Sequence, residues 1–161
     1  MKKYFKLFQN INQEIFPIEY SEIDQRNYFN FVKTQYQKKL RQVIITSEIM
    51  LHILEKYFVE YNFRIINIYF AEGDIELEEK LQEVLERLEE NRGYFLKLLK
   101  ELECIADNSS IDIESIELKS LNKKDGKYLN FRIWVNGILS IEKGQENYLL
   151  EEITKLVKEK L

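Results

Sequence analysis

The stretch from Tyr128 to Gly137 constrains this chain more than any other. Leu129, Phe131, Ile133 and Val135 alternate with Tyr128, Asn130, Arg132 and Trp134, and Asn136-Gly137 follows at once. Strict alternation sends successive side chains to opposite faces of a strand. An Asn-Gly pair supplies the left-handed residues of a tight hairpin. Residues 138–141 then return as the second strand. A two-residue turn pairs Val135 with Ile138 and Trp134 with Leu139, and paired residues share a face. This register gives one face to Leu129, Phe131, Ile133, Val135 and Ile138, the expected core. It gives the other to Tyr128, Arg132, Trp134, Leu139 and Ile141. That second set is apolar but interrupted by an arginine, as aromatic-rich interfaces are. We expect it to be a partner surface centred on Trp134; the alternative is that a helix of the same chain covers it.

Other segments read by period and punctuation. Tyr4, Phe8, Ile11 and Ile15 fall at helical spacing, which predicts a short helix over 3–15. Ser21-Glu22-Ile23-Asp24 is a capping box, so a helix follows it, with Phe29, Val32, Tyr36 and Leu40 on one face. Residues 41–46 fit a short strand or a helix start. Residues 46–61 are apolar nearly all round and predict the buried central helix. Phe63–Phe70 is β-branched and aromatic, hence a strand. Leu77, Leu81, Val84, Leu88, Phe95, Leu98, Leu102 and Ile105 keep a heptad frame across Gly93. The frame favours one continuous helix, roughly 45 Å long at 1.5 Å per residue. The alternative is a helical hairpin turning at Asn91-Arg92-Gly93. Ile111 and Ile113 share one parity and Ile116 and Leu118 the other, which predicts a β-bulge near Ser115. Asn122–Gly126 is turn material. An amphipathic helix after Gly144 closes the chain.

The expected fold is α+β: one domain over residues 1–161, with a small antiparallel sheet packed against several helices, one of them long. With 45% hydrophobic and 32% charged residues, a chain of 161 residues folds rather than staying disordered. The net charge of −4 argues against nonspecific nucleic-acid binding, though it leaves room for a local basic patch. Cys104, the only cysteine, excludes an intramolecular disulfide and fits a reducing, cytoplasmic compartment. The basic N-terminus lacks a signal-like apolar core because Lys6, Gln9 and Asn10 interrupt it. No apolar run approaches the ~20 residues that cross a bilayer, so no membrane partner is expected.

Catalytic equipment is sparse. His52, the only histidine, sits in the most apolar helix and reads as structural; Cys104, near the heptad seam, reads as a buried thiol. Five glycines supply no phosphate-binding loop, and neither a cofactor nor a metal site is expected. Glu72, Asp74 and Glu76 fit the charge preference of a helix start better than a Mg²⁺ site. Glu117-Leu118-Lys119 with Asp112 upstream resembles the end of a PD-(D/E)xK nuclease motif. The resemblance implies metal-binding Asp112 and Glu117, with Lys119 assisting water. The family's Pro-Asp is missing, and Asp112 comes from the same strand as Glu117. From Leu81 to Ile141, a heptad helix, a loop and strands also resemble the soluble part of pilus-assembly proteins of the PilO type.

Three functions follow as expectations. The first is a non-enzymatic protein-binding domain, whether inhibitor, immunity-type partner, assembly subunit or self-associating chain. The second is a metal-dependent nuclease. The third is nucleic-acid binding without catalysis, through Lys119, Lys123, Lys124, Lys127 and Arg132 with Tyr128 and Trp134 for stacking.

Overall fold

The computed structural model describes residues 1–71, 75–108, 112–124 and 126–161. In chain order these form β1 (Lys2–Gln9), β2 (Ile15–Glu19), α1 (Glu22–Arg26), α2 (Tyr28–Gln37), β3 (Arg41–Gln42) and α3 (Ser47–Glu55). A π-helical turn, Lys56–Glu60, extends α3. Then come β4 (Phe63–Phe70), α4 (Ile75–Glu90), α5 (Phe95–Asn108), β5 (Ile113–Lys124), β6 (Lys127–Trp134), β7 (Ile138–Glu142) and α6 (Glu146–Lys160). All described strands join one antiparallel sheet in the order β2-β1-β7-β6-β5-β4, with β3 on β1. The fold is mixed α+β, with a larger sheet than expected: β4 is an edge strand of it, and the N-terminal segment supplies two more.

That segment is not a helix. β1 buries Phe5 and Leu7 on one face and Lys6 and Phe8 on the other. A strand buried on both sides loses its alternation, and a short apolar run is then indistinguishable by period from a helix. Pro17 stands in β2, opposite Leu7, on the outermost strand, where a missing N–H is tolerated.

The hairpin forms with a loop one residue longer than expected. β6 and β7 pair as Phe131↔Ile141, Arg132↔Ser140 and Ile133↔Leu139. The Gly137 N–H donates to the Trp134 carbonyl at 3.0 Å, and Gly137 has φ +79°. This is the three-residue loop, a turn followed by a left-handed residue. A Cβ on Gly137 would stand 2.6 Å from the Val43 carbonyl oxygen, so both the angle and the space demand glycine. One residue of slip turns β7 over. Leu139 and Ile141 therefore face the core, fully buried, and leave the expected partner surface. Ile138 moves to the opposite face, beside Phe8, Tyr20 and Phe31.

The long helix is instead a helical hairpin. α4 ends at Glu90, and Asn91 caps a 3₁₀ turn, Arg92–Tyr94, by accepting from the Gly93 N–H at 2.9 Å. α5 then returns alongside α4: Leu77, Lys80 and Leu81 share a cleft of about 180 Å³ with Leu98, Leu102 and Ile105. Lys80 also lies 3.8 Å from Glu101. The heptad frame survives the reversal because each arm turns its own seam inward, which period alone does not distinguish from a straight rod. The reversal is held by Arg92, whose guanidinium lies 3.8 Å over the Phe58 ring, itself stacked on Phe95. Without a long helix, the likeness to pilus-assembly proteins is gone.

Other expectations hold in detail. Ser21 and Asp24 form the capping box of α1. α3 and its π turn bury Ile49, Met50, Ile53, Leu54, Tyr57 and Phe58. Against β4, the register of β5 shifts between Ile113 and Ser115, the predicted bulge. α2 is rotated from its expected face: Phe31 and Gln35 are buried, whereas Phe29 and Tyr36 are exposed. The helix rests on Phe8 and Tyr20 over one end of the sheet, a shallow contact that leaves its other apolar stripe to solvent. Cys104 is exposed rather than buried.

One core cluster runs from Phe5 to Val157 between the first sheet face and α3, α4, α5 and α6. Phe131 is central, 1% exposed, with ring centroids 4.8 Å from Tyr57 and 6.2 Å from Phe63. Truncating such a ring costs about 3–5 kcal/mol. Phe131→Ala is expected to lower the thermal midpoint sharply, and an unchanged midpoint would place the core elsewhere.

Candidate functional site

Among the described residues, the second face of the sheet is covered by a packed apolar cluster at one end only. α2 sits over β1 there, with Phe31 against Phe8 and Tyr20. Beyond them the registers align three rows of side chains across β1, β7, β6, β5 and β4. One row is Tyr4, Ser140, Arg132, Glu117 and Asn67. Beside it run Trp134, Ser115 and Tyr69 on one flank and Asn130 and Lys119 on the other.

Arg132 is the centre. Its guanidinium lies 4.0 Å from the Tyr69 ring centroid and 4.5 Å from that of Trp134. Nε and one terminal nitrogen donate to Ser115 Oγ at 3.1 and 2.9 Å. Two aromatic rings and one hydroxyl thus fix the fork, an arrangement that a lysine cannot reproduce. Among the described residues no carboxylate pairs with Arg132, although Glu117 stands opposite it in the register. Tyr4 packs on Trp134 at 6.4 Å. Ser140, 2% exposed, turns to the same face between Tyr4 and Arg132, and its Oγ has no hydrogen-bond partner.

A second group flanks this centre. Between Lys119↔Asn130 and Lys123↔Tyr128 the β5 register shifts, so extra residues loop out of β5. Ser120 pins the loop: its hydroxyl accepts from the Leu129 N–H at 2.9 Å and donates to the Asn122 carbonyl at 2.8 Å. The shift brings both Lys119 and Lys123 over Tyr128, at 4.7 and 5.4 Å from its ring centroid. With Lys127 and Lys143 they surround an open depression of about 770 Å³. None of these four lysines pairs with a carboxylate among the described residues. Glu142, at the rim, lies 3.5 Å from the Met1 amino group.

Of the residues singled out in the sequence, Tyr128, Arg132 and Trp134 do share a face; Leu139 and Ile141 lie on the opposite one. Tyr69, Tyr4, Ser115, Ser140 and Lys143 were missed. Tyr69 was hidden by a register shift near Ile66 that changes parity along β4, and Tyr4 by the helix reading of β1. Small buried serines carry no signal of their own.

The nuclease triad does not assemble. Glu117 and Lys119 share the second face, but Asp112 precedes β5 and is exposed, its carbonyl accepting from Ala71 N–H. Five residue steps separate Asp112 from Glu117, roughly 16 Å at about 3.3 Å each, too far for one ion. Among the described residues no group of three His, Cys, Asp or Glu side chains is placed to hold a metal. The Glu72-Asp74-Glu76 cluster lies outside the described side chains. His52 meets Glu159 of α6 at 3.0 Å, far along the chain from any nucleophile candidate on the open face.

Lys6 lies under the covered end of this face, fully buried. It donates to the Asn136 carbonyl and stands 5.6–5.8 Å from the rings of Tyr28 and Phe8. Burial pushes its pKa down to about 8. No protein-family model, curated protein or solved structure matches the chain, so no residue role is carried over from a relative.

Two predictions come from this geometry. With Mg²⁺ or Mn²⁺ the protein is expected to leave single- and double-stranded DNA and RNA intact; cleavage abolished by Glu117→Ala would overturn that. The second concerns pH. Between about 8 and the ~10.4 of an unfolded lysine, the unfolded chain holds the Lys6 proton that the native state has released. Stability therefore rises with pH through this window. Above about 10 it falls again, because burial raises the pKa of Tyr57, Tyr20 and Tyr28, and burial with a hydrogen bond to Glu152 raises that of Tyr61, so the native state retains their protons. Thermal melts from pH 7.5 to 9.5 are expected to show a rising midpoint that Lys6→Met flattens; parallel curves would remove Lys6 as the cause.

Proposed function

We propose that this chain is a non-enzymatic binding module whose partner sits on the open face of the sheet around Arg132 and Trp134. The observation that carries the reading is the Arg132 clasp: a guanidinium fixed between Tyr69 and Trp134, without a carboxylate neighbour among the described residues. Trp, Tyr and Arg are the residues that dominate binding hot spots, because they bring large rigid area and a charge at small cost in conformational freedom. Acid–base and nucleophilic groups are dispersed rather than gathered: His52 on α3, Cys104 on α5, Asp112 before β5. That dispersal supports binding over catalysis.

A second surface, fitted to a protein, has one specific observation in its favour. Ile23, Phe29 and Tyr36 of α1 and α2 are 77%, 76% and 59% exposed. Phe29 and Tyr36, seven residues apart, lie on one face of α2, and exposed large apolar side chains that share a face are a mark of protein contact. No helix among the described residues is long and apolar enough to cross a membrane.

The test is capture of partners from the native host on immobilised wild-type, Trp134→Ala and Phe29→Ala proteins, followed by titration of whatever is recovered. Trp134→Ala is expected to weaken binding by more than about 2 kcal/mol, as hot-spot truncation does, while the melting transition survives. Equal affinity for the wild type and the Trp134→Ala protein, both folded, would remove the sheet face from the interface. A loss in Phe29→Ala alone would move the interface to α2.

A further inference from the structure

We infer that the open face and the lysine-lined depression beside it form one continuous track for single-stranded nucleic acid. The inference rests on the sheet face being the binding surface and names its occupant. Three observations converge on it.

The first is charge that is local and unspent. The chain carries a net −4, yet Lys119, Lys123, Lys127 and Lys143 converge on one depression and Arg132 stands beside it. None of the five has a carboxylate partner among the described residues. Unpaired lysines are common on this chain; these four are set apart by converging on one depression, where Glu142 at the rim is taken up by the Met1 amino group. Such a convergence fits a ligand with its own negative charge at regular intervals. A phosphate backbone has that property.

The second is the placing of flat rings among those cations. Tyr128 lies beneath Lys119 and Lys123, while Tyr69 and Trp134 clasp Arg132 and Tyr4 packs on Trp134. Grooves that hold single strands without reading sequence combine these two elements: cations for the backbone and aromatic faces for the bases. A simple anion would use the cations alone. An acidic peptide would use the cations and has no need of an exposed ring such as Tyr128 among them.

The third is the geometry of the track. Lys119 and Arg132 occupy neighbouring rows on adjacent strands, diagonal positions about 7–8 Å apart. A side-chain-lined sheet face admits splayed bases that a duplex keeps stacked inside. Opposing charges border this face: Glu142 is taken up by the Met1 amino group, Glu117 stands between Arg132 and β4, and Glu78, Glu79 and Glu83 of α4 line a depression with Asn67 and Tyr69, which directs the backbone toward Tyr128 rather than across β4.

Trp134 is the only tryptophan, so its emission reports on the platform without a label. The experiment titrates the full-length protein with a twenty-nucleotide oligo-dT, oligo-rU and a duplex of equal length, following Trp134 emission and the anisotropy of labelled strands across a salt series. Single strands are expected to bind, to quench Trp134, and to weaken with salt. Lys123→Glu with Lys127→Glu, both exposed positions, is expected to abolish binding at moderate salt. Lys119→Ala with Lys123→Ala is expected to lower the magnitude of the log–log salt slope by about 1.4, two contacts at about 0.7 each. Melting curves establish that each variant is folded. Folded wild-type protein that binds no single strand at low salt overturns the inference, as does duplex binding of equal strength with unchanged Trp134 emission. If no strand binds but a captured protein is lost in Trp134→Ala, the occupant is wrong and the sheet-face reading stands. If neither strand binding nor Trp134-dependent capture is seen, both fail.

Discussion

The architecture depends on the conformation of one residue. Gly137 adopts a left-handed angle at the end of a three-residue loop, with the Val43 carbonyl pressed against the place where a Cβ would be. That loop fixes the pairing of β6 with β7. Because side chains alternate, the pairing decides whether Leu139 and Ile141 or Ile138 and Ser140 enter the core. β7 also pairs with β1, so the choice propagates to Phe5 and Leu7 on one side and Tyr4 and Lys6 on the other. The Leu7 N–H donates to the Gly137 carbonyl, which locks the loop to the strand whose facing it determines.

From that register follows an asymmetry between the two sheet faces. One is covered by α3, α4, α5 and α6 around a continuous apolar cluster. Among the described residues the other is packed only where Phe8 and Tyr20 meet Phe31 of α2, and the remainder carries Arg132, its two rings and the lysine group. Lys6 marks the boundary. Its stem is buried under Tyr28 and its ammonium is satisfied by a carbonyl rather than an acid, which is why burial lowers its proton affinity. The polar face is therefore not a failed core. Its cations are held by rings, hydroxyls and carbonyls, which fix their positions without cancelling their charge.

Features with local causes were legible in the sequence. The Ser21–Asp24 capping box, the apolar α3, the parity change at Ser115 and the alternation of β6 each depend on a few consecutive residues, and each is present. Features decided at a distance were not. β1 is buried on both sides, so its period is silent. The α4–α5 seam repeats equally well in a rod and in a hairpin, and Arg92 settles the matter by meeting Phe58, more than thirty residues earlier. Asn136-Gly137 announced a turn but not whether its loop holds two residues or three. The candidate site shows the same division. Tyr128, Arg132 and Trp134 were found because they alternate on one strand. Tyr69 and Ser115 complete the clasp from two other strands, and only the sheet pairing brings them there.

Pro17 and the α4 contacts bear on how this sheet meets other molecules. One border of the sheet is β2, five residues long with a proline in its middle. The other is β4, flanked by α4 through Arg64 with Glu89 and Asn67 with Gln82. The β2 border, short and with its proline, does not offer the long row of free backbone donors and acceptors that strand addition requires. Recognition by main-chain zippering is thereby disfavoured there. On the open face recognition falls to side chains, in chemistry that single substitutions can tune without disturbing the sheet.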